Sequence, residues 1–175
     1  MVAHTALTTD TDGCCVCDHC LPHKTRILDA VDSIDKQVKS ARHDHDVNSL
    51  TPFDSQTDPQ IPMLTYVRRF VHYHAHFEWP VIPVVLIYIS RIQTQSRSHA
   101  LTRYNVHRIV CTAFVIAYKY TSDFVHSNAT MAKVAGLNSV RELNALENYV
   151  VSSVDWNLHV TPVEFDEFAR TSCVA

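Results

Sequence analysis

Only two glycines, Gly13 and Gly136, occur in the 175 residues, and this scarcity limits the possible folds more than any other feature. Dinucleotide fingerprints, phosphate-binding P-loops and nucleophile elbows all need closely spaced glycines, so three large enzyme classes drop out. An all-β chain also needs many tight turns with positive φ, which glycine supplies. What remains is an all-α protein of long helices joined by few tight turns.

Hydrophobic periodicity supports that class. From Ile61 onward, Leu64, Val67, Phe70, Val71 and His74 recur at helical spacing to about Phe77, and Pro62 suits a first helical position. Pro80 and Pro83 open a second helix with the stripe Ile82, Val85, Leu86, Ile89 and Ile92. A third, from about Asn105 to Tyr120, carries Val106, Val110, Ala113, Phe114, Ala117 and Tyr120 on one face and is expected at the centre. Ser127 or Asn128 caps a short fourth helix that ends at Gly136. Ser139 and Glu142 have capping-box spacing and start a fifth that runs to about Val154. Thr161, Pro162 and Glu164 repeat the start signal for a last short helix bearing Phe165 and Phe168.

The folded domain is thus expected over residues 61–170, behind a mostly disordered extension, 1–60. Residues 1–23 and 40–60 are polar and expected to be mobile. Between them Ile27, Val31, Ile34 and Val38 form one helical stripe within about 25–40. Two heptads are too few for a coiled coil, so this helix is expected to dock on the domain.

Charge and length narrow the setting. Residues 1–60 hold ten acids against five Lys/Arg, leaving eight against ten in 61–175, so the domain offers no broad basic face for nucleic acid. The longest uncharged apolar run, Trp79 to Ser90, contains two prolines and falls short of the roughly 20 residues that cross a bilayer. With no apolar leader at the start, the expected setting is intracellular, cytoplasm and/or nucleus, with reduced cysteines.

Two charges stand out against apolar faces. Val140, Leu143, Glu147, Val150, Val151 and Val154 share one stripe of the fifth helix, so Glu147 interrupts it. An apolar setting requires a partner for that carboxylate, either inside the domain or on another chain. Lys119 lies off the buried face of the third helix, with Val115 and Ile116 as apolar neighbours left outside the core stripe. That pattern suits either an interface or a snorkelling lysine.

Other clusters carry less. Cys14, Cys15, Cys17, His19, Cys20 and His23 could supply zinc ligands, but the spacing is too tight to enclose a tetrahedral site and no second pair follows; a tail with reduced thiols is expected. His72, His74 and His76 alternate in a helix and so do not share a face. Neither a nucleophile in a recognisable setting nor a close carboxylate pair is visible, so no catalytic residues, cofactor or metal are expected.

The segments Pro83-Val-Val-Leu-Ile-Tyr-Ile-Ser-Arg91, Asn105-Val-His-Arg108, Ala117-Tyr-Lys-Tyr120 with Asp123, Asn128 with Ala132-Lys-Val-Ala-Gly-Leu137, and Glu142-Leu-Asn-Ala-Leu-Glu147 with Asp155-Trp156 resemble, in order, the cyclin box. The likeness covers about residues 61–170 and is to the phosphate-regulatory (P/U) type. It implies a five-helix cyclin box, no catalysis, and a regulatory subunit that binds and activates a cyclin-dependent kinase in cell-cycle or nutrient control. By position, Lys119 and Glu147 match the family's kinase-contacting lysine and glutamate, and Asp123, Phe124 and Leu143 are further candidates for that surface. Ala135 stands where that type often has glycine, and the substrate-docking pattern of A-type cyclins is not seen near Tyr66 to Phe77. Alternatives are a cyclin-fold adaptor without kinase activation and a nucleic-acid-binding cyclin fold; one box and a near-neutral domain disfavour the latter.

Overall fold

The computed structural model describes residues 21–40, 51–73, 81–95 and 100–171, and its regular elements are seven helices with no strand among the described residues, in agreement with the expected all-α class. They are α1 (Leu21–Ser40), α2 (Met63–Tyr73), α3 (Val81–Gln95), α4 (Val106–Thr121), α5 (Asn128–Ala135), α6 (Val140–Ser153) and α7 (Pro162–Thr171). Cys14 to Cys20, and His74 to Phe77 at the expected end of the first box helix, lie outside the described residues.

Local signals set the helix ends. Ser127 Oγ accepts from Thr130 N at the start of α5, and Gly136 ends it at φ 70°. Apart from Gly136 and its two chain neighbours, nothing lies within 4 Å of where a Cβ would stand there, so backbone conformation alone calls for glycine. At α6, Ser139 Oγ accepts from Glu142 N, but the Glu142 carboxylate reaches one residue further back, to Asn138 N at 3.0 Å. Its other oxygen binds Arg108 Nη2 at 2.5 Å.

Packing centres on α4, whose main neighbour is α3, with α6 and α2 on other sides. From Ile109 to Tyr118 every residue of α4 is buried. Val115 and Ile116, expected outside the core stripe, are only 1% and 4% exposed. A helix surrounded by neighbours has no solvent face, so a single stripe understates its burial. On α1, Val31 and Ile34 are buried and Val38 is partly so, and the helix packs on α2 and α3.

The segment ahead of α2 departs from expectation. Residues 51–60 were expected to bury little, yet Phe53 is fully buried and meets the Tyr149 ring edge-on at 5.3 Å. A turn closed by Asp54, whose Oδ2 accepts from Thr51 N at 2.7 Å, presents that ring inward. Arg108 Nη1 donates to the carbonyls of Pro52 and Asp54, and Ser55 N donates to Tyr104 O. The salt-bridged Arg108 therefore joins this segment to α4 and α6.

A second arginine fastens the other end. Arg91 on α3 donates to Asn157 O at 2.6 Å and His159 O at 2.9 Å, and it pairs with Glu164 of α7 at 2.8 Å. Tyr88 OH donates to Leu158 O between them. These bonds hold the turn in which Asp155 and Trp156 both take left-handed φ, 51° and 58°, a conformation costing roughly 1–2 kcal/mol per L-residue.

His107 links α4 to the start of α2, its Nε2 lying 2.9 Å from Ile61 O while Nδ1 is buried without a hydrogen-bond partner. The carbonyl requires Nε2 to carry a proton, and a second proton on Nδ1 would stand buried without an acceptor, which favours the neutral ring. Burial lowers its pKa below the ordinary 6.5. The unfolded chain then binds a proton near pH 6.5 that the folded chain refuses. This contribution to stability is complete above that pH and is lost as pH falls through the folded value. The melting temperature is expected to drop between pH 7.5 and 5.5, and His107→Gln, which keeps a donor for Ile61 O, should flatten the dependence. An unchanged slope in His107→Gln would assign the effect elsewhere.

Candidate partner-binding site

Lys119 sits in the last turn of α4, where a cation also complements the helix dipole, and Glu147 lies midway along α6. The structure brings them together, with Nζ 2.6 Å from Oε1 and side chains 34% and 14% exposed. The partner left open by the sequence is thus each residue's opposite number. Glu147 borders the buried stripe of α6, which consists of Leu143, Leu146 and Val150 and continues into the C-cap Val154, while Val140 at the head of the expected stripe is 38% exposed.

The second carboxylate oxygen is also engaged. Asn128, the first residue of α5, donates from Nδ2 to Glu147 Oε2 at 2.5 Å and to Asn144 Oδ1 at 2.7 Å. The opposite amide orientation would turn an oxygen toward two acceptors, so the hydrogen-bond pattern selects this one. Three helices thus converge on one carboxylate. The ammonium keeps two further N–H donors, and each carboxylate oxygen keeps acceptor capacity, for a group arriving from outside.

Beyond Lys119 the chain leaves α4 through a loop that carries Asp123, which is exposed, and Phe124, which is 74% exposed. Tyr120 at 50% and Val125 at 47% extend the apolar surface. His126 anchors the loop, its ring 5.1 Å from Tyr73 and stacked 6.5 Å from Tyr118. Leu143 does not belong to this surface. It is 0% exposed, a core residue on the inward side of α6, and that corrects its assignment as a partner contact.

Sequence reasoning missed Asn128 as a ligand of Glu147, reading it as an alternative cap. It also missed Tyr120 and Val125, the former placed on the buried stripe. Among the described residues no group of three or more His, Cys, Asp or Glu side chains could hold a metal ion, and no helix is long and apolar enough to cross a membrane. The expected tail cysteines, Cys14 to Cys20, lie outside the described residues.

Residues 18–158 match the Cyclin family. The Nuc-1 negative regulatory protein preg of Neurospora crassa is 34% identical over 115 residues, covering 66% of this chain and 23% of that protein. Cyclin-U4-1 of Arabidopsis thaliana is 30% identical over 116 residues, covering 66% and 56%. PHO85 cyclin-7 of Saccharomyces cerevisiae is 28% identical over 160 residues, covering 83% and 55%. The chain therefore spans from under a quarter to just over half the length of these relatives.

Proposed function

The chain belongs to the cyclin family, of the phosphate-regulatory (P/U) type, and from that premise we propose that it binds a cyclin-dependent kinase and activates it as its regulatory subunit. The observation that carries this reading is the Lys119–Glu147 pair, held at the junction of α4, α5 and α6 next to a loop with an exposed Phe124. A few oriented polar groups beside exposed aromatic surface are what a protein interface needs for anchoring. Asp123 and Phe124 lie on the same contact surface in this proposal.

Activation is allosteric. The cyclin surface favours the inward position of the kinase's regulatory helix, which completes that enzyme's Lys/Glu ion pair and orders its activation loop. This chain contributes no reacting group; ATP and metal are the kinase's. The proposed setting is inside the cell, in cytoplasm and/or nucleus, in cell-cycle or nutrient control.

The test is phosphate transfer to a peptide by purified cyclin-dependent kinases with and without the chain. Stimulation of a bound kinase by at least about tenfold supports the proposal; a change of that size requires a differential affinity of about 1.4 kcal/mol between the two kinase states. Binding without stimulation would instead support an adaptor, and binding to none of the kinases would overturn the proposal.

A further inference from the structure

Asn128 occupies an unusual position for a residue at the head of a short helix. Ser127 caps α5, so Asn128 is not needed for capping, and both its amide protons are directed at α6. One goes to Glu147 Oε2, the oxygen that Lys119 does not hold. We propose that Asn128 is a positioning residue for kinase recognition, fixing the Glu147 carboxylate so that its free lone pairs and the Lys119 N–H groups face an incoming chain together. This rests on the kinase-binding reading of that surface.

The physical argument concerns orientation. With Lys119 alone, a carboxylate on a flexible side chain pivots about a single contact to a partly exposed lysine. Adding a donor on the second oxygen, from a different helix, fixes the plane of the group. Ordering it beforehand removes a rotamer cost from the binding step. Asn144 steadies the arrangement from α6 by accepting the second amide proton of Asn128.

Asn128→Asp separates this role from a structural one. An acid in the first turn of α5 complements the helix dipole and leaves the Ser127 cap intact, so the helix itself is not weakened. At the site, however, a carboxylate replaces the donor and meets Glu147. The titratable groups facing that pair come from α4. The charged one is Lys119; the other, at longer range, is the Cys111 thiol, which burial keeps protonated and neutral with a pKa pushed up to about 12. Two carboxylates so close share a proton at a pH above the ordinary carboxylate range, and the protonated form restores a donor between them.

The expected result is that Asn128→Asp weakens binding of a purified cyclin-dependent kinase about tenfold at pH 7.5 and regains most of that loss at pH 5.5, relative to wild type at each pH. Its melting temperature at pH 7.5 stays within about 2 °C of wild type or rises. Asn128→Ala should lose affinity without the pH-dependent recovery. Wild-type affinity for Asn128→Asp at pH 7.5, or a loss with no recovery on acidification, overturns the proposal. Glu147→Gln is the reference: if it weakens binding and Asn128→Asp does not, only the positioning role fails. If Glu147→Gln leaves binding untouched, the kinase-contact assignment of Glu147 fails, and the positioning role falls with it.

Discussion

Glu147→Lys is expected to reduce kinase capture by at least about 100-fold while the domain stays folded. Truncating or reversing one member of a hydrogen-bonded charge pair in an interface typically costs about 2–5 kcal/mol, and reversal places an ammonium against Lys119 and the Asn128 amide. The internal cost is smaller. Lys119 is about a third exposed, so its pair with Glu147 contributes on the order of 0.2–1 kcal/mol to folding. Capture on immobilised chain would read the first effect and thermal circular dichroism the second. The double variant Lys119→Glu with Glu147→Lys sharpens the result, because it restores attraction within the domain and presents the wrong sign outward. Its melting temperature should recover while capture does not. Recovery of both would mean that the pair serves the fold and not a partner.

Phe53→Ala should give the largest loss of stability, about 3–5 kcal/mol from lost apolar transfer and the cavity left beside Tyr149. For a domain of this size that corresponds to a fall of roughly 10 °C or more in melting temperature. Phe53→Leu, which keeps much of the volume, should retain most of the stability. A loss below about 1 kcal/mol for alanine would show that the 51–54 turn is not part of the cooperative unit. Because Arg108 reaches the carbonyls on either side of Phe53, the same turn also holds the α4–α6 salt bridge in place.

The helices were legible because their signals are local: Ser139 with Glu142, Ser127 ahead of α5, and Gly136 behind it. Recurrence of apolar residues located α2, α3 and α4, but one stripe could not express the burial of α4 on all sides, so Val115 and Ile116 were placed too far out. Phe53 was invisible for the opposite reason, being a lone aromatic in a polar stretch without a period to reveal it. Lys119 and Glu147 could each be singled out, yet their mutual contact spans 28 positions and follows from how α4 crosses α6. The two arginine clasps were illegible as well. Besides a carboxylate, Arg91 and Arg108 each bind two backbone carbonyls, which every residue possesses and no side-chain pattern marks.

The eight residues of α5 are too few to form a stable helix in isolation, so the helix exists by virtue of its two caps and the burial of Met131, Ala132 and Ala135. One of the groups that holds Glu147 is therefore only as ordered as this short segment. If only a fraction of molecules has α5 seated at any instant, the apparent dissociation constant for a kinase is the intrinsic one divided by that fraction. A substitution deep under α5, touching neither Lys119 nor Glu147, thereby becomes a rheostat for affinity.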